Sequence, residues 1–123
     1  MSTTPAPAPI AISRYVGYAW RIPAQMTDLD GAPLDISTWT IAGELYVPDQ
    51  LAPSPIAARN IDVATASFEF YLAPEQTKDI IPHRLDSRGY PCRIMVTYTD
   101  AEGETYPYGL ICILPLDPRT FVP

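Results

Sequence analysis

Residues 21–39 read RIPAQMTDLDGAPLDISTW, and the fold turns on Asp28-Leu29-Asp30-Gly31 within them. Acidic residues ahead of a glycine form either a calcium loop or a tight turn between two strands. An EF-hand loop alternates oxygen ligands, reaches its glycine after the third and ends in a distant bidentate Glu. Counted from Asp28, the third ligand position is Ala32 and the glycine comes early; counted from Asp30, the next ligand position is again Ala32. The loop does not fit calcium. Residues 99–103, Thr99-Asp100-Ala101-Glu102-Gly103, repeat the same T-D-x-[DE]-G pattern. Two stretches that share this chemistry point to a shared turn: a type I turn closed by a left-handed residue, as in three-residue hairpin loops. Gly31 and Gly103 take that last position because they have no Cβ to clash. Asp28, with Asp30 beside it, and Asp100 cap the turn by accepting from their own backbone downstream.

Working outward from these turns, the chain alternates with a period of two. Tyr18, Trp20, Ile22 and Ala24 share one face, with Pro23 marking an edge position or a bulge. Trp39, Ile41, Gly43, Leu45 and Val47 form the next inward set, and residues 48–56 read as a loop. Ile61 and Val63 open a short strand before a turn at residues 64–66, and Phe68, Phe70 and Leu72 follow inward. Pro74 starts a short helix. The last hairpin sets Cys92, Ile94, Val96 and Tyr98 against Tyr106, Tyr108, Leu110, Cys112 and Leu114. Short strands at regular spacing with turn signals predict an all-β, immunoglobulin-like antiparallel β-sandwich of about 6–8 strands, with at most one short helix. The predicted core is Trp20, Trp39, Ile41, Leu45, Phe68, Phe70, Ile94 and Val96.

The chain of 123 residues is one domain by size, and 47% hydrophobic residues suffice for a core. Its fifteen prolines argue against long helices. Residues 1–12 form a Pro/Ala-rich extended arm, residues 13–115 the sandwich, and residues 116–123 an extended tail. Pro5, Pro7 and Pro9 fix alternate φ angles, so the arm cannot pack a core of its own. The expectation is that Pro5, Pro7, Pro9, Ile10, Ile12 and, in the tail, Phe121 bind a neighbouring chain.

Several function classes fall away. A net charge of −6, with one lysine among eight basic residues, argues against tracking nucleic-acid phosphates. No apolar run approaches the length of a membrane span. The opening MSTTPAPAPI lacks the basic and apolar regions of a signal peptide, which predicts a cytosolic site of synthesis. The single histidine, His83, has Asp79 and Asp86 nearby in sequence but no further ligand for zinc. Neither a nucleophile elbow nor a phosphate loop is present. No catalytic residue, metal or cofactor is expected.

The two cysteines flank the second turn. If Asp100 pairs with Glu104, Cys92 falls opposite Cys112, and a cross-strand pair is geometrically open. Two reduced thiols in a reducing compartment are the favoured alternative, and a slip of one residue would put them on opposite faces. Tyr106 and Tyr108 are candidates for a ligand face that stacks on sugars, against the plainer reading of core-edging and partner-facing aromatics.

The early hairpin, matched at Arg21, Pro23, Asp28, Asp30, Gly31, Pro33, Asp35, Ile36, Ser37 and Trp39, and the terminal hairpin from residues 93–103 into its return strand, resemble small β-sandwich proteins of tailed bacteriophages. They are similar to the N-terminal domain of the phage baseplate upper protein family and to immunoglobulin-like tail modules, over about residues 18–115. The resemblance implies a non-enzymatic virion structural protein that docks on a symmetric tail, baseplate or neck assembly. Its partners would be other virion proteins and copies of itself, not nucleic acid or membrane. A capsid decoration protein and a carbohydrate-binding module are the alternatives. Baseplate upper proteins continue into a long C-terminal extension where this sequence ends at Pro123, so the role of that extension does not carry over.

Overall fold

The computed structural model describes residues 10–48, 50, 52–82 and 84–117. Pro5, Pro7, Pro9, His83 and Phe121 therefore lie outside the described residues. Among the described residues seven strands form: β1 (Ile10–Tyr15), β2 (Trp20–Gln25), β3 (Thr40–Tyr46), β4 (Ser54–Asp62), β5 (Ser67–Leu72), β6 (Cys92–Thr99) and β7 (Thr105–Leu116). A short helix, α1 (Pro74–Thr77), starts on Pro74, and Gln76 Oε1 accepts the Ala73 N–H at 2.8 Å. The fold is all-β, as the alternation predicts.

The strands form one continuous sheet in the order β1-β7-β6-β3-β4-β5-β2. It folds into two layers because β4 changes partners along its length. Its first half pairs with β3 (Ala42 with Ala57, Leu45 with Ser54), and its second half pairs with β5 (Ala58 with Phe70, Asp62 with Ser67). The ladder slips between Arg59 and Asp62, where Asn60 sits at φ 53°. Asn tolerates the left-handed region better than most residues, so it suits the corner where a strand switches layers. The result is a nearly closed, barrel-like sandwich. In immunoglobulin order, β7, β6 and β3 make one layer and β5 with β2 the other.

Several boundaries differ from the sequence expectation. Residues 10–12 are not arm: they belong to β1, which pairs in parallel with β7 of the same chain, Ile10 beside Ile111 and Ile12 beside Ile113. Ile12 packs against the core. At the other end, Pro115 lies opposite Arg14 and is fully buried, so β7 runs on to Leu116. Residues 54–56 are strand, not loop. Pro55 is accommodated because the first half of β4 has β3 on one side only, where a missing N–H costs least. By the same rule β2 is the last strand in the order, and Pro23 lies on it as expected for an edge.

The core lies between the layers. Trp20, Ile41, Leu45, Phe68, Phe70, Ile94 and Val96 are buried, and Trp39 is partly buried against them. A fully covered side chain of this size contributes about 2–3 kcal/mol relative to an exposed one. Met26, Leu34 and Ile36 from the β2–β3 loop, Leu72, Ile80, and Ile111 and Ile113 of β7 are among the other buried core residues. Tyr18 does not join Trp20: it is exposed in the turn after β1. Trp20 instead anchors that turn by donating its indole N–H to the Tyr15 carbonyl at 2.7 Å.

Candidate interaction surfaces

The Asp-Gly turns are built alike. Asp28 Oδ1 accepts the N–H groups of Asp30 (2.9 Å) and Ala32 (3.0 Å), and Gly31 N–H returns to the Asp28 carbonyl (3.1 Å). Asp100 Oδ1 accepts from Glu102 and Glu104, both at 3.0 Å, and Gly103 N–H closes on the Asp100 carbonyl. A third copy stands at Asp86, whose Oδ1 takes the N–H groups of Arg88 and Tyr90, with Gly89 closing the turn. Gly31, Gly89 and Gly103 sit at φ 84–86°, where an L-residue would clash. The Asp-x-x-Gly spacing of residues 86–89 carries the same signal, although alternation alone assigns that stretch to a polar loop. In all three turns one carboxylate oxygen is committed to two backbone donors, which is turn chemistry rather than metal ligation. Among the described residues, no group of three or more His, Cys, Asp or Glu converges on a common point.

Two of these turns crowd the end of the sandwich where β2, β4 and β6 finish. The β2–β3 loop carries Asp28, Asp30 and Asp35, β4 ends on Asp62, and the β6–β7 turn carries Asp100, Glu102 and Glu104. That is half of the chain's fourteen acidic residues, and residues 26–39, 62–67 and 99–106 contain no lysine or arginine. The segments are tied together. Gln25 Nε2 donates to the Thr65 carbonyl at 2.8 Å, and Met26 N–H to the Ala66 carbonyl at 2.9 Å. Asp35 accepts from the Ser37 hydroxyl at 2.7 Å and from its N–H at 3.1 Å; these bonds hold its carboxyl below the usual range.

An aromatic row crosses this acidic end. Trp39 stacks on Tyr98 with ring centres 4.2 Å apart, and Tyr98 leans on Tyr106 at 5.4 Å. Tyr98 is buried, whereas Tyr106 is 42% exposed. Partial burial, and then the carboxylates of Asp100, Glu104 and Glu102, push the Tyr106 phenol above its ordinary range. Beside Trp39 lies a hollow lined by Asp28, Pro33, Leu34 and Asp35.

Tyr108 is not part of a ligand face. It is buried, its hydroxyl accepts the Thr27 N–H at 3.1 Å, and it lies 3.5 Å from the Gln25 carbonyl. The cause is a bulge in β7. Pairs from Thr99–Thr105 to Thr97–Pro107 keep one register, then Val96 pairs with Gly109 and every later pair is shifted by one. Pro107 lacks a ladder donor and Gly109 lacks a side chain, a combination that favours a bulge. The tyrosine caught in the bulge closes the seam between β7 and β2, beside a small apolar gap among Ala24, Phe68, Val96 and Ile111.

The same slip separates the cysteines. Cys112 lies opposite Arg93 and Cys92 opposite Ile113, so the cross-strand pair that an unbroken register left open does not form and both thiols are free. Burial pushes the Cys92 thiol up to about 12. Cys112, Leu110 and Leu114 instead share the outward face of the β4-β3-β6-β7-β1 layer with Met95, Ala42 and Ala11. Leu114 is exposed and Met95, Leu110 and Cys112 are half-buried there. Arg93 organises one margin of this face: it pairs with Asp86 at 3.0 Å and lies over the rings of Tyr46 (4.9 Å) and Tyr90 (5.2 Å). On the other layer Arg59 bonds Glu69 at 2.8 Å and covers Tyr71 at 4.1 Å.

No protein-family model and no curated protein matches this chain.

Proposed function

We propose that the chain is a non-enzymatic structural protein of a bacteriophage virion, docking on a symmetric tail, baseplate or neck assembly with its terminal segments against neighbouring subunits. The observation that carries this reading is the outward face of the β4-β3-β6-β7-β1 layer. Met95, Leu110, Cys112 and Leu114 form an apolar stripe there, with Leu114 exposed and the other three half-buried. A face of this kind, rimmed by polar residues, suits protein contact. The two hairpin motifs that resemble phage sandwich modules supply the kind of assembly.

The test is to purify the phage particle that encodes the chain and to count its copies by mass spectrometry against the major capsid protein. A few copies per particle, matching tail symmetry, support the tail reading. Copy numbers near that of the capsid protein would make it a decoration protein instead, and absence from the particle would refute both.

A further inference from the structure

Several surface or half-buried tyrosines of this chain keep company with arginines. Tyr71 lies under Arg59, and Tyr46 and Tyr90 lie around Arg93. Each of those rings has a guanidinium at its face, and each guanidinium also holds a carboxylate, Glu69 or Asp86. The Trp39–Tyr98–Tyr106 row has the aromatic rings and the carboxylates but no basic residue in its own segments. Asp100, Glu102 and Glu104 hang on the turn that leads into β7 and Tyr106, and Asp28 and Asp35 border Trp39. The combination that Arg59 and Arg93 complete elsewhere has no cation over Tyr106 among the described residues.

We propose that this end of the sandwich docks an arginine-bearing peptide segment of a partner protein, with a guanidinium over Tyr106 and the surrounding carboxylates holding its N–H groups. Charge complementarity selects the partner. Six carboxylates on two loops, with Asp62 at the end of β4 and no basic residue among those segments, attract a cationic segment and repel an acidic one. A metal ion fits less well, because the carboxylates are spread over separate loops and the turn aspartates already accept two N–H groups each. The flat rings choose arginine over lysine, since a planar guanidinium stacks on an aromatic face and hydrogen-bonds at its edge together. Docking of this kind needs no particle and does not depend on the virion reading.

The probe is a fluorescent peptide of alternating Arg and Gly, compared with its Lys-Gly counterpart, titrated with the full chain at low salt and followed by anisotropy. The Arg peptide is expected to bind more tightly than the Lys peptide. Tyr106→Ala is expected to weaken it about fivefold and Tyr106→Phe to leave it nearly unchanged. Neutralising Asp30→Asn, Glu102→Gln and Glu104→Gln together should weaken it roughly tenfold while leaving the turn-capping Asp28 and Asp100 in place. No binding, equal binding of the two peptides, or full binding by Tyr106→Ala overturns the proposal. So would stabilisation of the chain against heat by millimolar calcium, because the carboxylates would then serve a metal.

Discussion

Gly43 stands at the centre of β3 on the core side, and its substitution tests how closely the two layers approach. A Cβ at Gly43 would meet Phe70 Cε1 at 2.9 Å, and Phe70 Cζ and Ile94 Cγ2 at 3.0 Å each. Ordinary carbon contacts lie at about 3.5–4.0 Å, so the neighbours must retreat by roughly half an ångström or more. Neither has room. Phe70 and Ile94 are fully buried, and Phe70 meets Phe68 edge-on at 5.5 Å and 80°. Overpacking of this kind costs about 1–3 kcal/mol, offset by about 0.5–1 kcal/mol because alanine orders more cheaply than glycine in a strand. Gly43→Ala is therefore expected to lose about 1–2 kcal/mol, a fall in Tm of about 5 °C, in urea and thermal unfolding followed by Trp fluorescence. Phe70→Leu alone should also destabilise, by leaving a void. Combined, the two changes should cost less than their sum by more than about 0.5 kcal/mol, because each makes space the other uses. A Gly43→Ala protein as stable as the parent, or a strictly additive pair, would refute the packing described here.

Four further outcomes follow from the same geometry. Tyr108→Phe removes the acceptor of the Thr27 N–H; it should cost about 1–3 kcal/mol and speed hydrogen exchange at the Thr27 amide, whereas unchanged exchange would deny the latch across the seam. Gly103→Ala forces an L-residue to φ 86° and should cost about 1–2 kcal/mol, measured by chemical unfolding, while Glu102→Ala beside it should cost little. Cys92 keeps its proton up to about 12 in the fold and to 9.0 when unfolded, so the folded state holds the proton more tightly. Its contribution is full below pH 9 and lost as the pH rises from 9 to 12; a maleimide should label Cys112 ahead of Cys92 at neutral pH, and equal labelling would contradict the burial. Deleting residues 1–12 removes half of β1, which pairs with β7, and should lower the thermal unfolding midpoint, whereas an unchanged midpoint would contradict the parallel pairing.

What could be read in the sequence was local. Asp28 and Gly31, and Asp100 and Gly103, announce their turns because the carboxylate, the backbone donors and the left-handed residue all fall within five positions. The third turn, Asp86 to Gly89, carries the same spacing and was equally open to reading. Trp20, Ile41, Leu45, Phe68, Phe70, Ile94 and Val96 show their burial through alternation, since successive side chains in a strand face opposite ways. The acidic character of the loops is likewise written in the sequence; that they gather at one end with Trp39 and Tyr106 is not.

Tertiary structure decided everything that depends on partners far apart in the chain. Alternation fixes which residues share a face of a strand but not which strand lies beside it. Hence β4 could divide itself between β3 and β5, and Ile10–Tyr15 could join β7 in parallel. One extra residue at Tyr108 then reversed the later assignments on β7, turning Ile111 and Ile113 inward and Cys112 outward and setting Arg93, not Cys92, against Cys112. Because side chains repeat every two residues along a strand, a shift of one is the smallest change the ladder allows and the largest it can make to a face.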